Sequence, residues 1–405
     1  MNNAVSAIVT SGSDVYVGGS FTFLGVPGAV NICRWNGITW SALGGGLNGS
    51  VGALAVSGGN LYAGGSFTLA TNTGNIAVSA NRIAKWNGSA WSALDVGVNN
   101  TVSALTFSGN DLYAGGSFTT AGPNPASRLA RWNGAAWSTV GQGVNNTVNA
   151  LATLGTDIIA AGSFSAATNS DFTTVTAARI ARWDGSTWSP LSSGFDNPAN
   201  ALAVSGTTLY AGGFFNNAGG VAVGRIAQWN GVTWSVLGSA TNNIFVNALA
   251  ASGTDLYVAG GFSQIGTLPV NNVAKWDGTN WTALGSGLTG TSLPGVNAVA
   301  VAGGALYAGG SFVKAGDKAV GFVAKANITG LPFGGKFTNP VYSPGSGFAC
   351  TFFDATVGQP YRIQSSPSLV GGWTDFTNFT YTAPTVITDA SAGASTNKFF
   401  RAVTP

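Results

Sequence analysis

The chain has 405 residues, and only 7% of them are Asp, Glu, Lys or Arg, against about a quarter in an ordinary soluble domain. It contains no His and no Glu, which excludes Ser-His-Asp and Cys-His catalysis, imidazole metal ligands and an imidazole pH switch. The net charge of +3 is too small for a counterion-releasing nucleic-acid surface, no run reads as a membrane-spanning helix, and no cofactor or calcium-loop motif appears.

Met1 is followed by Asn2, Asn3, Ala4 and Val5 rather than by a basic and then an apolar run, so no secretion signal is visible. Met1 to Ile8 aligns with Val98 to Leu105, which places the start of the sequence just after a fourth strand. From here one unit recurs. Its second strand carries an aromatic-Ala-Gly-Gly motif anchored at Tyr16, Tyr62, Tyr113, Ile159, Tyr210, Tyr257 and Tyr307, at intervals of 46 to 51 residues. A second anchor is a pair of tryptophans five apart, with Trp40, Trp91, Trp137, Trp188, Trp234 and Trp281 as the second members. Each unit reads as four short strands: "VSALTFSG", then "NDLYAGGSF", then "RLARW", then "WSTV". Asn133-Gly134, between the last two, is the strongest two-residue hairpin signal in sequence terms. Length variation falls between the second and third strands, as at 71–80 and 168–177, so insertions are expected there. Seven four-stranded units at this spacing predict an all-β, seven-bladed β-propeller over residues 1–333.

The glycine doublet Gly64-Gly65, the third strand ending in an aromatic and the Trp opening the fourth resemble kelch-type repeats. The likeness is closer still to the "WNGxxW" propeller repeats of large secreted and cell-surface proteins. That resemblance implies a propeller outside the cell and assigns no activity, because propellers host unrelated functions.

The seventh unit has no paired Trp. Its fourth-strand slot holds Leu331, Pro332 and Phe333, and proline cannot donate to a sheet ladder. Either Leu331 to Phe337 forms a weak edge strand, or the missing strand comes from elsewhere. Asn2, Asn3 and Leu331 to Phe333 are therefore the candidate closure or strand-addition site. Residues 334–405 depart from the repeat and read as a small β-sandwich of five or six strands, expected to dock on the propeller. Tyr361 to Ser365, Leu369, Trp373 and Phe399 to Arg401 resemble a domain found at the ends of secreted bacterial proteins. Cys33 and Cys350 lie one in each part; they either form a disulfide or stay as two buried thiols.

The candidate chemistry is sparse. The second tryptophans either pack blade on blade or stack on sugars at a rim. Arg34, Arg82, Lys85, Arg128, Arg131, Arg179, Arg182, Arg225, Lys275 and Lys325 recur in third strands, where they either cover neighbouring blades, with Arg stacked on Trp, or form a basic ring. Asp14, Asp111, Asp157 and Asp255 sit at the first hairpin, and no carboxylate pair stands out for glycosidase work. Ser6, Gly52, Ser103, Asn149, Asn200, Asn247 and Asn297 share an inner register. These features lead us to expect a secreted, non-enzymatic structural or interaction protein that binds itself or other extracellular proteins, without cofactor, metal, nucleic acid or membrane span. A glycan-binding propeller is the alternative and an Asp-dependent, glycan-active enzyme the third reading.

Overall fold

The structure, a computed structural model, describes residues 1–23, 25–238, 245–290, 295–328, 336–343, 347–353, 360–366, 374–380, 385–389 and 399–403. Side chains are described up to residue 328. The chain divides into two compact units, Met1–Lys325 and Ala326–Pro405, a boundary earlier than the 333/334 junction expected from the repeat.

In the first unit the predicted four-stranded pattern appears six times. The third sheet is typical: Val102–Ser108, Asp111–Gly116, Leu129–Trp132 and Trp137–Thr139 lie in that order. Alternation puts Val102 and Ala104 on the buried side of the first strand, and the second strand, covered on both faces, is a run of small and aromatic residues. The expected two-residue turn at Asn133-Gly134 is instead a four-residue loop, since Trp132 pairs with Trp137. The Asn133 carboxamide holds it by accepting from the N–H of Ala135 and Ala136 at 2.9 Å each, and Gly134 supplies a φ of 99° that side chains rarely adopt.

Where the sequence suggests variable loops, the chain builds extra hairpins. Leu69–Asn72 and Ile76–Ser79 pair with each other and with Gly46–Leu47 from the segment after the first tryptophan pair; Ala166–Thr168, Thr174–Thr176 and Gly143–Val144 do the same. Each small sheet ties one repeat to the preceding fourth strand.

Successive sheets pack through their first and second strands. At five of the seven junctions a second-strand glycine faces the next sheet's first strand. A Cβ on Gly64 would lie 2.5 Å from Val102 Cγ1, and one on Gly115 equally close to Val148; glycine is there because nothing larger fits. In the fourth sheet Ala161 replaces the glycine and the facing residue shrinks to Ala199 within the same apolar cluster. The last of these contacts returns to the start, with Gly309 of the seventh sheet against Val5 of the first. The Nδ2 of Asn297 also donates to the Val5 carbonyl at 3.1 Å. Packing and this hydrogen bond therefore join the seventh sheet to the first.

The seventh repeat differs. Among the described residues its sheet has three strands, Val296–Ala302, Ala305–Gly310 and Val323–Asn327. Leu331, Pro332 and Phe333 lie outside the described residues. Lys336 and Phe337, at the far end of the expected fourth strand, pair instead with Phe353 and Phe352. Among the described residues the second unit has six strands in two three-stranded antiparallel sheets. One has Gly347–Phe353 between Lys336–Ser343 and Thr385–Asp389; the other has Pro360–Ser366 between Thr374–Thr380 and Phe399–Val403.

Candidate functional site

The inner register forms a shallow pocket of about 190 Å³ lined by Ser6, Gly52, Ser103, Asn149 and Asn200 among others, none of them titratable. A β-bulge falls on this position in all seven first strands, between Val5 and Ala7, Val51 and Ala53, and so on to Val296 and Ala298. A bulge re-aims the extra residue. Here the asparagines reach the neighbouring sheet: the Nδ2 of Asn149 donates to the Ala199 carbonyl at 3.1 Å and that of Asn247 to the Val296 carbonyl at 3.3 Å. The inner asparagines stitch sheets together, and what remains is neutral amide and hydroxyl chemistry.

The cations opposite the tyrosine column form no basic ring; they contact Asp or Tyr rather than Trp. Arg34, Lys85, Arg131, Arg182, Gln228, Lys275 and Lys325 stand directly opposite Tyr16, Tyr62, Tyr113, Ile159, Tyr210, Tyr257 and, by register, Tyr307. Where the second strand opens with Asp, the cation pairs with it: Arg34–Asp14 at 3.0 Å, Arg131–Asp111 at 2.7 Å, Arg182–Asp157 at 2.6 Å and Lys275–Asp255 at 2.7 Å. Where that residue is Asn60, Lys85 lies 6.0 Å over the Tyr62 ring, and where it is Ala305, Lys325 lies 5.7 Å over Tyr307. Where it is Thr208, the opposite residue is Gln228 and the charge is gone. The signal for this pairing was present in the aligned columns. Half-exposed pairs of this kind contribute little to stability, about 0–1 kcal/mol each.

Four of the second tryptophans, Trp91, Trp137, Trp188 and Trp234, are each only 3% exposed and offer no face to a sugar. Each indole N–H donates across a junction to a carbonyl of the preceding sheet: Trp91 to Leu43 at 2.9 Å, Trp137 to Leu94 at 3.0 Å, Trp188 to Val140 and Trp234 to Leu191 at 3.2 Å. The half-buried Trp281 reaches the Leu237 carbonyl at 3.0 Å. The glycan-contact expectation fails for the four buried rings because each is committed to the sheet junction. Trp40 is the exception. It is half-buried, stacked edge-on against Phe23, and no described residue accepts from its N–H. The acceptors elsewhere come from the segment after the preceding sheet's fourth strand, and for Trp40 the preceding sheet is the seventh.

Two expected closure residues have local work. Asn2 Oδ1 accepts from the Thr22 N–H at 2.7 Å, as Asn99 Oδ1 accepts from Thr119, and Asn3 Oδ1 accepts from the Ala4 N–H. Both side chains clip their own repeat. Cys33 has no disulfide partner among the described residues and sits among Val5, Val15, Val17 and Tyr307, and burial pushes its thiol up to about 12. The Cys350 side chain lies outside the described residues. Asp184 and Asp277 fill the turn position after the first tryptophan. Backbone N–H groups of Thr187 and Ser186 hold the Asp184 carboxyl well below the usual range. Among the described residues no cluster of three potential metal ligands occurs, and no helix is long and apolar enough to cross a membrane.

No family model matches the chain, and no curated protein matches it. Among solved structures it is similar to the WD40 β-propeller domain of Doa1, with 15% identity, a TM-score of 0.50, and coverage of 76% of this chain and 90% of that one. It is also similar to the computationally designed Ika8 protein, with 16% identity, a TM-score of 0.45, and coverage of 88% and 95%. The likeness to the Doa1 domain shows the fold and nothing further. The chain contains a β-propeller.

Proposed function

We propose that this chain is a non-catalytic, extracellular interaction protein: a seven-bladed, kelch-like propeller followed by a small C-terminal sandwich, which joins copies of itself or other extracellular proteins by strand addition. One observation carries the reading. Six repeat sheets have four strands, whereas among the described residues the seventh has three and Val323–Asn327 pairs on one side only. An edge strand with unpaired N–H and C=O groups is a template for another strand. The half-buried Trp40 has no backbone acceptor among the described residues, whereas the other junctions obtain theirs from the segment just after a fourth strand. Of the six second-position rings, the glycan-binding alternative keeps only Trp40 and Trp281 as half-exposed, which makes it the weaker reading.

Light scattering over a wide concentration range, with electron microscopy of the same samples, tests the proposal. Concentration-dependent assembly is expected. A peptide with the sequence of residues 89–97, which copies the fourth strand of the second sheet, should suppress it by occupying the edge. A protein that stays monomeric at every concentration and ignores the peptide would sink the reading.

A further inference from the structure

The tyrosine column is broken once. Tyr16, Tyr113 and Tyr210 each belong to the apolar cluster of the following sheet, alongside Trp86, Trp183 and Trp276 respectively. In the fourth sheet the column holds Ile159, which joins the cluster of Trp229. At that place the structure has a cavity of about 410 Å³, lined by Ile159, Trp229, Asp157, Arg182, Pro190 and Leu191. An isoleucine lacks the phenol ring that fills the same junction elsewhere, and the aromatic wall and charged pair around the missing ring remain.

The repeat also shows what the missing group would touch. The Asp14 and Asp255 carboxylates lie close enough to the hydroxyls of Tyr16 and Tyr257, two residues further along their strands, that with burial they favour the neutral phenol. Asp157 stands in the same relation to Ile159. Arg182 Nε holds its Oδ2 at 2.6 Å, and no described residue donates to its Oδ1. Exposure rises across the cavity, from 0% at Ile159 to 9% at Trp229, 17% for the Asp157 side chain and 50% for that of Arg182. The closed end is therefore apolar and the mouth carries the carboxylate.

We propose that this cavity binds a small phenol, whose ring takes the place of the absent tyrosine ring against Trp229 and whose hydroxyl donates to Asp157. The polarity fixes the direction of entry. Ile159 fills the end where a tyrosine's Cβ would sit, so the ligand enters with its hydroxyl trailing at the mouth. A tyrosine presented by a partner protein would arrive hydroxyl first, with that group in the apolar end, where burying it without a partner is unfavourable. The ligand is thus a free phenol with nothing bulky opposite the hydroxyl.

The test is a ligand-observed fluorine NMR titration of 3-fluorophenol against the whole chain near neutral pH. Saturable binding at one site is expected. Fluorobenzene, lacking the hydroxyl, should bind about tenfold more weakly, the effect of one hydrogen bond to a charged group. Ile159→Tyr supplies the ring from within and should weaken binding at least tenfold while the protein stays folded, since six other sheets carry tyrosine there. Tyr113→Ile, beside the intact Asp111–Arg131 pair, should create a second phenol site. Tyr210→Ile, beside Thr208 and Gln228, should not, because no carboxylate awaits the hydroxyl. Absence of saturable binding, or equal affinity in wild type and folded Ile159→Tyr, overturns the proposal. So does a folded Tyr113→Ile with unchanged stoichiometry, and N-acetyltyrosinamide binding more tightly than 3-fluorophenol overturns the assignment to a free phenol.

Discussion

Replacing one junction tryptophan by phenylalanine separates the two kinds of junction in this ring. Trp137 is buried and its N–H donates to the Leu94 carbonyl at 3.0 Å. Trp137→Phe removes part of the ring, at about 1 kcal/mol for the incompletely filled space. It also strands a buried carbonyl, which costs about 1–3 kcal/mol. The expected loss is about 2–4 kcal/mol. Trp40 occupies the same register but is half-buried, with no acceptor among the described residues, so Trp40→Phe should cost less than about 1 kcal/mol. Urea unfolding followed by near-ultraviolet circular dichroism measures both, provided the slope of the transition is unchanged. Equal losses would mean that Trp40 is bonded like the others and that the seventh sheet is already complete, which removes the basis for strand addition.

The buried Cys33 thiol, pushed up to about 12, should react with Ellman's reagent only on unfolding. Cys33→Ala should cost less than about 1 kcal/mol, since Ala84, Ala130 and Ala181 hold that register; a loss of several kcal/mol would instead indicate a disulfide. Burial, with the neighbouring Asp255 charge and hydrogen bond, pushes the Tyr257 hydroxyl up to about 12. The folded state favours the neutral phenol, so this stabilisation is whole below about pH 10 and is lost as pH rises towards 12. The loss amounts to about 2–3 kcal/mol at this residue. Denaturant titrations in that range, compared with Tyr257→Phe, should show a shallower pH dependence in the variant. Gly309→Ala should cost about 1–3 kcal/mol through overpacking on Val5, and Val5→Ala should recover part of it, as Ala161 and Ala199 coexist in the fourth sheet. A neutral Gly309→Ala would show that the cycle does not close there.

Much of the β-propeller was legible because one template is copied with its registers intact. The tryptophan pair, the Asn-Gly loop and the Ala-Gly-Gly run each answer a local demand of the strand or turn, so their recurrence could be read without coordinates. The bulge at the inner register was not legible, because it depends on pairing between two strands and leaves no residue signature: Ser6, Gly52 and Asn149 all sit on it. Nor was the left-handed backbone of Arg82, Arg128, Arg179 and Arg225, whose φ values lie between 64° and 79°. Arginine rarely takes that conformation. Here the backbone is clamped from both sides, the Arg82 N–H donating to the Phe67 carbonyl and the Arg82 carbonyl accepting from Gly65, and Asn31 and Asn272 at the same register give the only hint in the sequence. The seam between first and seventh sheets was legible at its chain ends and not in its packing, since Val5 and Gly309 meet only once the cycle closes.

Two departures from the template carry the two proposals, and the physics of a repeat explains why. In a ring of near-identical sheets each contact is satisfied by the same residue of the next sheet, so a lone change leaves its neighbours built for a partner that is absent. Loss of a tyrosine at Ile159 leaves Trp229 and Asp157 arranged around empty volume. In the seventh sheet three strands and an indole N–H without an acceptor, both among the described residues, are what the strand-addition proposal builds on. At Thr208 and Gln228, by contrast, both members of an ion pair have changed together, and nothing is left waiting. The same holds for Ala161 and Ala199, where the glycine and its facing valine have changed in compensating directions. Compensated changes preserve the scaffold, whereas uncompensated ones leave unmet valence or volume. In a chain with so few charges and no histidine, those unmet places are where a ligand or a partner has something to gain.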